Sequence, residues 1–234
     1  MAATKQHLTQ AMRARESILG SSGRFWSAAD LPGATSTRHH LLTELEHSGE
    51  LLHVRRGLYW RGRKTPLGMS PPPPEALVEK LVGKRGVGPA GLSAAHRLRL
   101  STQVPRTAQI AVPERPPASS GSVTFVSRAS RTLRKTAALT ADEVALLETL
   151  EGWSRIIEVP LPDAWRRLRA AITDGEVSAT RLAKASGTEP ALVRVRLSAL
   201  LTQAGFADCA KKVPGADPRT VQQALPRELA AAGA

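Results

Sequence analysis

The sequence predicts an α+β fold, mostly helical, in two parts joined by a proline-rich stretch. Three observations predict it. Residues 27–64 pass from helical periodicity to strand-like runs around a basic turn. Residues 71–74 are four consecutive prolines, which continue neither a helix nor a central strand. Beyond them, apolar residues recur mostly at helical spacing, broken by two alternating runs at 109–113 and 122–127.

Taken in order, residues 4–20 read as a first helix, with Leu8, Ala11, Met12, Ile18 and Leu19 on its apolar face and Gly20 closing it. Phe25 and Trp26 anchor the next connection in the core. Ser27 caps one short turn, which Pro32 and Gly33 stop. A longer helix follows, capped by Thr35 or Ser36, with Leu41, Leu42 and Leu45 as its apolar stripe and Gly49 at its end. Ser36, Thr37, His40, Thr43 and Glu44 fall on its wet side. Two strands, 51–54 and 58–61, then flank Arg55, Arg56 and Gly57. A short helix, a turn, a longer helix and a basic hairpin make a winged helix-turn-helix, expected over residues 1–64.

That order implies duplex DNA. A recognition helix offers its N-terminal side chains to base edges in the major groove. Here they are Ser36, Thr37, Arg38, His39 and His40, all able to hydrogen-bond. Arg55 and Arg56 at the hairpin tip can reach phosphates or the minor groove.

Composition agrees with a polyanionic partner. The 234 residues carry a net charge of +13, and aromatics are only 3%, which argues against a single-strand binder that stacks bases. Residues 1–70 hold ten Lys/Arg against five Asp/Glu, and residues 71–139 eleven against three. Residues 140–234 balance at twelve each, so the first two segments are the expected nucleic-acid surface. Cys209 is the only cysteine, which excludes a disulfide framework and a cysteine metal site. No stretch reads as a membrane span or signal peptide, and a cytoplasmic location is expected.

Residues 65–74 are the expected linker. A helix over 75–85 follows, then a glycine-rich turn at Gly86, Gly88 and Gly91 that lacks the Walker ending, and a helix within 89–100. The two strands come next, separated by a loop at Pro113, Pro116 and Pro117. Arg97, Arg99, Arg106, Arg128, Arg131, Arg134 and Lys135 charge this segment and extend the DNA footprint, or meet an RNA or an acidic protein. Thr140 and Glu143 form a capping box at the start of an apolar helix. Residues 162–171 read as another helix, with Trp153 and Trp165 in the core. Residues 176–205 read as a helical hairpin capped by Ser178, broken at Gly187 and capped again by Thr188. Its pattern also fits a second helix-turn-helix, but the neutral charge favours plain packing. Ala230–Ala234 read as a frayed end.

No catalytic constellation is present: there is no HExxH, no GxSxG and no paired-carboxylate nuclease signature. The six histidines show no metal spacing. No enzyme activity, cofactor, metal or small-molecule ligand is expected.

FWSAADL, the TRHHLLTELEHSGEL helix, the HVRRGLYWRG hairpin and the later AGLSAAHRLRLSTQVP together resemble the AbiEi antitoxins of type IV toxin–antitoxin systems. The resemblance runs from Gly23 to about residue 127. It implies a bacterial autorepressor that binds inverted repeats in its own promoter and counteracts a nucleotidyltransferase-like toxin. It puts the DNA role on the helix from Ser36 and on Arg55, Arg56, Tyr59 and Arg61. The expected DNA surface is then Ser36, Thr37, Arg38, His39, His40 and Thr43 with Arg55, Arg56, Tyr59, Arg61, Arg63 and Lys64. Arg24, Arg97, Arg99, Arg128 and Arg131 are candidate further contacts. The antitoxin role falls broadly on residues 75–234. The alternatives are a winged-helix regulator without a toxin, and an RNA- or protein-binding scaffold that uses the basic middle segment.

Overall fold

The computed structural model describes residues 2–225, with side chains from residue 10. The fold is α+β, and eleven α-helices among the described residues hold about half the chain. The chain divides into two compact units, Met1–Leu77 and Val78–Ala234.

The first unit opens with α1 (Ala2–Leu19), then β1 (Arg24–Trp26), a 3₁₀ turn (Ala28–Asp30), α2 (Thr35–His47), β2 (Leu52–Arg55) and β3 (Leu58–Arg61). The three strands form an antiparallel sheet in the order β1-β3-β2. Its core joins Ala14 and Ile18 of α1, Leu41, Leu42 and Leu45 of α2, and Trp26, Leu31, Leu51 and Tyr59. Met12 is 61% exposed, contrary to its expected place on the apolar face. Two residues along a helix turn the side chain about 200° from Ala14, so both cannot face the core. The expectations for the Leu8 side chain and for Ala230–Ala234 lie outside the described residues.

Local capping explains the joints. The Ser27 amide donates to Asp30 Oδ2 at 2.7 Å, which holds the 3₁₀ turn. α2 begins one residue earlier than its expected caps: Ala34 is the N-cap and gives no side-chain bond, so Thr35 and Ser36 sit in the first turn. Gly49 is left-handed and closes α2 as expected. The hairpin turns at Arg56 and a left-handed Gly57, with Arg55 paired to Leu58.

The expected linker is partly structured. β4 (Lys64–Thr65) and β5 (Gly68–Met69) form a second small hairpin. It folds back onto β3, since Trp60 Nε1 donates to the Ser70 carbonyl at 2.9 Å and the Arg63 amide to Ser70 Oγ at 2.8 Å. Gly62 makes this approach possible: a Cβ there would lie 2.3 Å from the Ser70 carbonyl oxygen. Gly62→Ala should therefore lose about 1–3 kcal/mol of stability by overpacking, read as a lower urea midpoint at unchanged slope.

α3 (Pro74–Val82) crosses the unit boundary. The second unit continues with β6 (Gly88–Pro89), α4 (Gly91–Arg97), β7 (Ala108–Val112) and β8 (Val123–Ser127). β6 pairs antiparallel with β7, and β7 pairs parallel with β8. The parallel pair is joined by residues 113–122 alone, without the usual crossover helix. Helices follow: α5 (Leu133–Thr136), α6 (Ala141–Ile156), α7 (Leu161–Thr173), α8 (Ala179–Ala185), a 3₁₀ turn (Ser186–Thr188), α9 (Ala191–Gln203), α10 (Ala207–Ala210) and α11 (Pro218–Ala224).

The expected capping box is formed: the Thr140 amide donates to Glu143 Oε2 at 2.9 Å, and the Glu143 amide to Thr140 Oγ1 at 3.3 Å. Glu143 also accepts from the Ser178 amide at 2.8 Å and from Arg181 at 2.6 Å, tying the starts of α6 and α8 together. Trp153 and Trp165 meet edge to face, with centroids 5.4 Å apart, inside the main core. Thr188 is not the cap of α9; that position is Pro190, and the Thr188 hydroxyl instead accepts from the Leu133 amide at 3.4 Å. α9 packs against α6, α7, α10 and α11, so the pair α8–α9 is a bundle element built around a central helix.

Candidate nucleic-acid interface

Leu41, Leu42 and Leu45 turn one face of α2 into the core. The opposite face is therefore exposed, and Ser36, Thr37, His39, His40 and Thr43 all lie on exposed positions there. Because no side chain caps α2, its first-turn amides remain open to an anion. Arg38 differs from its neighbours. It is half-buried, and its guanidinium donates to the Ala28 carbonyl at 3.4 Å, while Nε is buried without a hydrogen bond among the described residues. It fastens the 3₁₀ turn to α2 and is not free for a base.

Arg55 and Arg56 are exposed at the tip of the β2–β3 hairpin. The other residues expected around this hairpin are used differently. Tyr59 is only 7% exposed, because strand alternation turns it onto the core beside Leu45 and Leu51. Arg61 donates to the Glu50 and Leu19 carbonyls at 3.1 and 3.4 Å and pairs with the Glu50 carboxylate at 3.1 Å. Lys64 also pairs with Glu50. The hydrogen bond from Lys64 holds the Glu50 carboxyl below the usual carboxylate range, against some desolvation. Arg63 is exposed. Arg24, opposite Arg61 in the sheet, is exposed and lies over the Trp26 ring at 4.1 Å. Arg61, Arg63, Lys64 and Arg24 thus cluster at the end of β3 remote from the Arg55–Arg56 tip, about 10 Å along a four-residue strand.

In the second unit, several of the middle segment's cations are bound in ion pairs, while Lys80, Arg85, Arg99, Arg106 and Arg115 are exposed. Arg128 and Arg131 are not free contacts. Arg128 makes two hydrogen bonds to the Glu148 carboxylate, at 2.8 and 2.7 Å. Arg131, 7% exposed, reaches Glu148 at 3.0 Å and Glu151 at 2.9 and 2.7 Å. Arg134 is fully buried; it grips Glu189 at 2.7 and 2.8 Å and Glu148 at 2.7 Å. Burial works against the Glu148 charge, but the Arg128 hydrogen bonds and the Arg134 charge win and hold its carboxyl below the usual range. Arg97 pairs with Asp142 at 2.7 Å and Lys135 with Glu114 at 2.7 Å. Of the expected further contacts in this unit, Arg99 remains exposed without an ion pair among the described residues. It adopts φ +57 at the end of α4, and Arg167 donates to its carbonyl.

His47 lies outside the expected contact surface. It is exposed on α2 and continues the line of Ser36, His40 and Thr43. The signal was available in the spacing of 36, 40, 43 and 47, one helical stripe.

Among the described residues, no group of three or more His, Cys, Asp or Glu side chains could hold a metal ion. No described helix is long and apolar enough to cross a membrane.

No family model matches the chain, and no curated protein matches it. A solved structure similar in fold is that of the RV2827C protein from Mycobacterium tuberculosis. The TM-score is 0.50 at 18% identity, over 89% of this chain and 83% of that one. At that identity the likeness concerns the fold alone.

Proposed function

We propose that the first unit is a winged helix-turn-helix that binds duplex DNA with sequence specificity, α2 being its recognition helix and the β2–β3 hairpin its wing. The observation that carries this reading is the exposed hydroxyl and imidazole face of α2, beside an exposed Arg55–Arg56 tip on the same small core. Base edges ask for the first and phosphates for the second. The resemblance to AbiEi antitoxins extends the reading to a cytoplasmic bacterial autorepressor. It acts at an inverted repeat in its own promoter and counteracts a nucleotidyltransferase-like toxin through the second unit. The protein has no catalytic role in this reading.

The test is a titration on duplex DNA from upstream of the protein's own gene, beside a scrambled duplex, at two salt concentrations. We expect a preference of about a hundredfold, or about 3 kcal/mol, for the native duplex. Arg55→Ala/Arg56→Ala should weaken both and reduce the slope of log K against log salt by about 2, as two phosphate contacts are lost. Equal binding to both duplexes by the wild type would end the operator reading. The antitoxin role is tested by co-expression: the protein should restore growth to cells making the toxin encoded beside it, and failure to do so leaves a regulator without a toxin.

A further inference from the structure

The outer face of α2 has a composition that goes beyond a generic DNA-facing helix. Ser36, His40, Thr43 and His47 fall at i, i+4, i+7 and i+11 and are all exposed, directly opposite Leu41, Leu42 and Leu45. No carboxylate lies on this stripe. The two acidic residues of α2 are drawn off it to opposite flanks. Glu44 is held toward α1 by Arg15 at 2.6 Å, and Glu46 faces β2, with His53 Nδ1 at 3.9 Å. Arg38, the only cation of α2, leans back on the Ala28 carbonyl. What remains along the ridge is two hydroxyls alternating with two imidazoles.

These groups read bases unequally. A hydroxyl donates or accepts and so tolerates any base edge. An imidazole has a fixed ring plane, and in the tautomer protonated at Nε2 it presents an N–H donor at its outer edge. In the major groove, guanine offers two adjacent acceptors, N7 and O6, whereas adenine sets an amino donor beside its single acceptor, N7. An N–H donor is therefore matched at guanine over a wider range of approach. His40 and His47 are seven residues apart, about 10.5 Å along a helix that rises 1.5 Å per residue. A recognition helix runs along the groove, oblique to the duplex axis, so this span covers two to three base-pair steps of about 3.4 Å rise each.

We propose that His40 and His47 are the specificity-determining residues of the interface and read two guanines two or three base pairs apart in each half-site. The inference rests on the duplex-DNA reading above and adds the identity and spacing of the bases.

The experiment selects binding sites from a randomised duplex library with the full chain, in wild type, His40→Ala, His47→Ala and His40→Gln forms. Both histidines are exposed, so the variants should keep the wild-type melting curve. The wild type should enrich two guanine positions two or three base pairs apart. His40→Ala should lose about tenfold preference at one of them only, and His47→Ala at the other only. His40→Gln should switch its position toward adenine, whose N6 and N7 a glutamine amide matches with two hydrogen bonds. A merely structural role for either histidine would produce no such base-specific change. If the wild type selects a sequence but the variants keep the same preferences, or lose preferences at bases other than guanine, the histidine inference is wrong and the DNA reading stands. If the wild type selects no sequence, both fall.

Discussion

Arg134→Ala should destabilise the second unit by about 3–5 kcal/mol, the range for removing one member of a buried ion pair. Arg134 is fully buried, and its guanidinium satisfies the Glu189 and Glu148 carboxylates, which are 3% exposed or less. Truncation leaves both with fewer donors in a site that water does not reach. The penalty is mainly that of the stranded carboxylates, so the double variant Arg134→Met/Glu189→Leu should lose less than the two single changes together. Urea unfolding followed by circular dichroism reads both effects. A loss below about 1 kcal/mol for Arg134→Ala would show that water or repacking replaces the guanidinium.

The same network sets a pH dependence. Glu148 titrates below its ordinary value in the folded chain, so the unfolded chain binds protons first as pH falls. The stabilisation is fully present above the unfolded carboxyl range near pH 4.5 and is lost as pH falls through the depressed folded value. Wild-type stability should therefore decline steeply below about pH 4.5, and Arg134→Ala should flatten that decline.

Trp26→Ala should cost the first unit about 3–5 kcal/mol, the usual range for a buried tryptophan. Trp26 is 2% exposed within a core of nine buried residues, and its Nε1 donates to Ser21 Oγ at 3.0 Å. It also carries the end of β1, where it pairs with Tyr59 of β3. A domain of this size has only about 5–15 kcal/mol to lose, so the variant should open at low urea and lose the proposed duplex binding. The near-ultraviolet signal of the Trp153–Trp165 pair, which belongs to the other core, should persist. Retention of duplex binding with an unfolding midpoint near wild type would mean that β1 and its tryptophan are dispensable to the first unit.

Much of the molecule is legible in the chain because its causes are local. The stripe of Leu41, Leu42 and Leu45 marks α2, the Arg55–Arg56–Gly57 turn marks the hairpin, and Thr140 with Glu143 marks the start of α6. Each depends on residues a few positions apart, where helical period, turn geometry and capping act directly. β1 was not legible, since three residues become a strand only when β3 offers them an edge. Nor was the β4–β5 hairpin, which forms where Gly62 lets Ser70 close on Trp60.

The candidate site divides along the same line. Sequence alone places the hydroxyls and imidazoles on one face of α2 and a basic tip after it, because the helix period decides which side chains share a face. It cannot decide which charges stay free. Part of the excess of the middle segment is neutralised by Asp142, Glu148, Glu151 and Glu189, and Arg134 meets Glu189 across 55 positions. Arg61 and Lys64 are likewise taken up by Glu50, and Tyr59 by the core. Charge along a chain sums over neighbours in sequence, whereas desolvation and ion pairing act between neighbours in space. The count of exposed cations is therefore set by the tertiary structure.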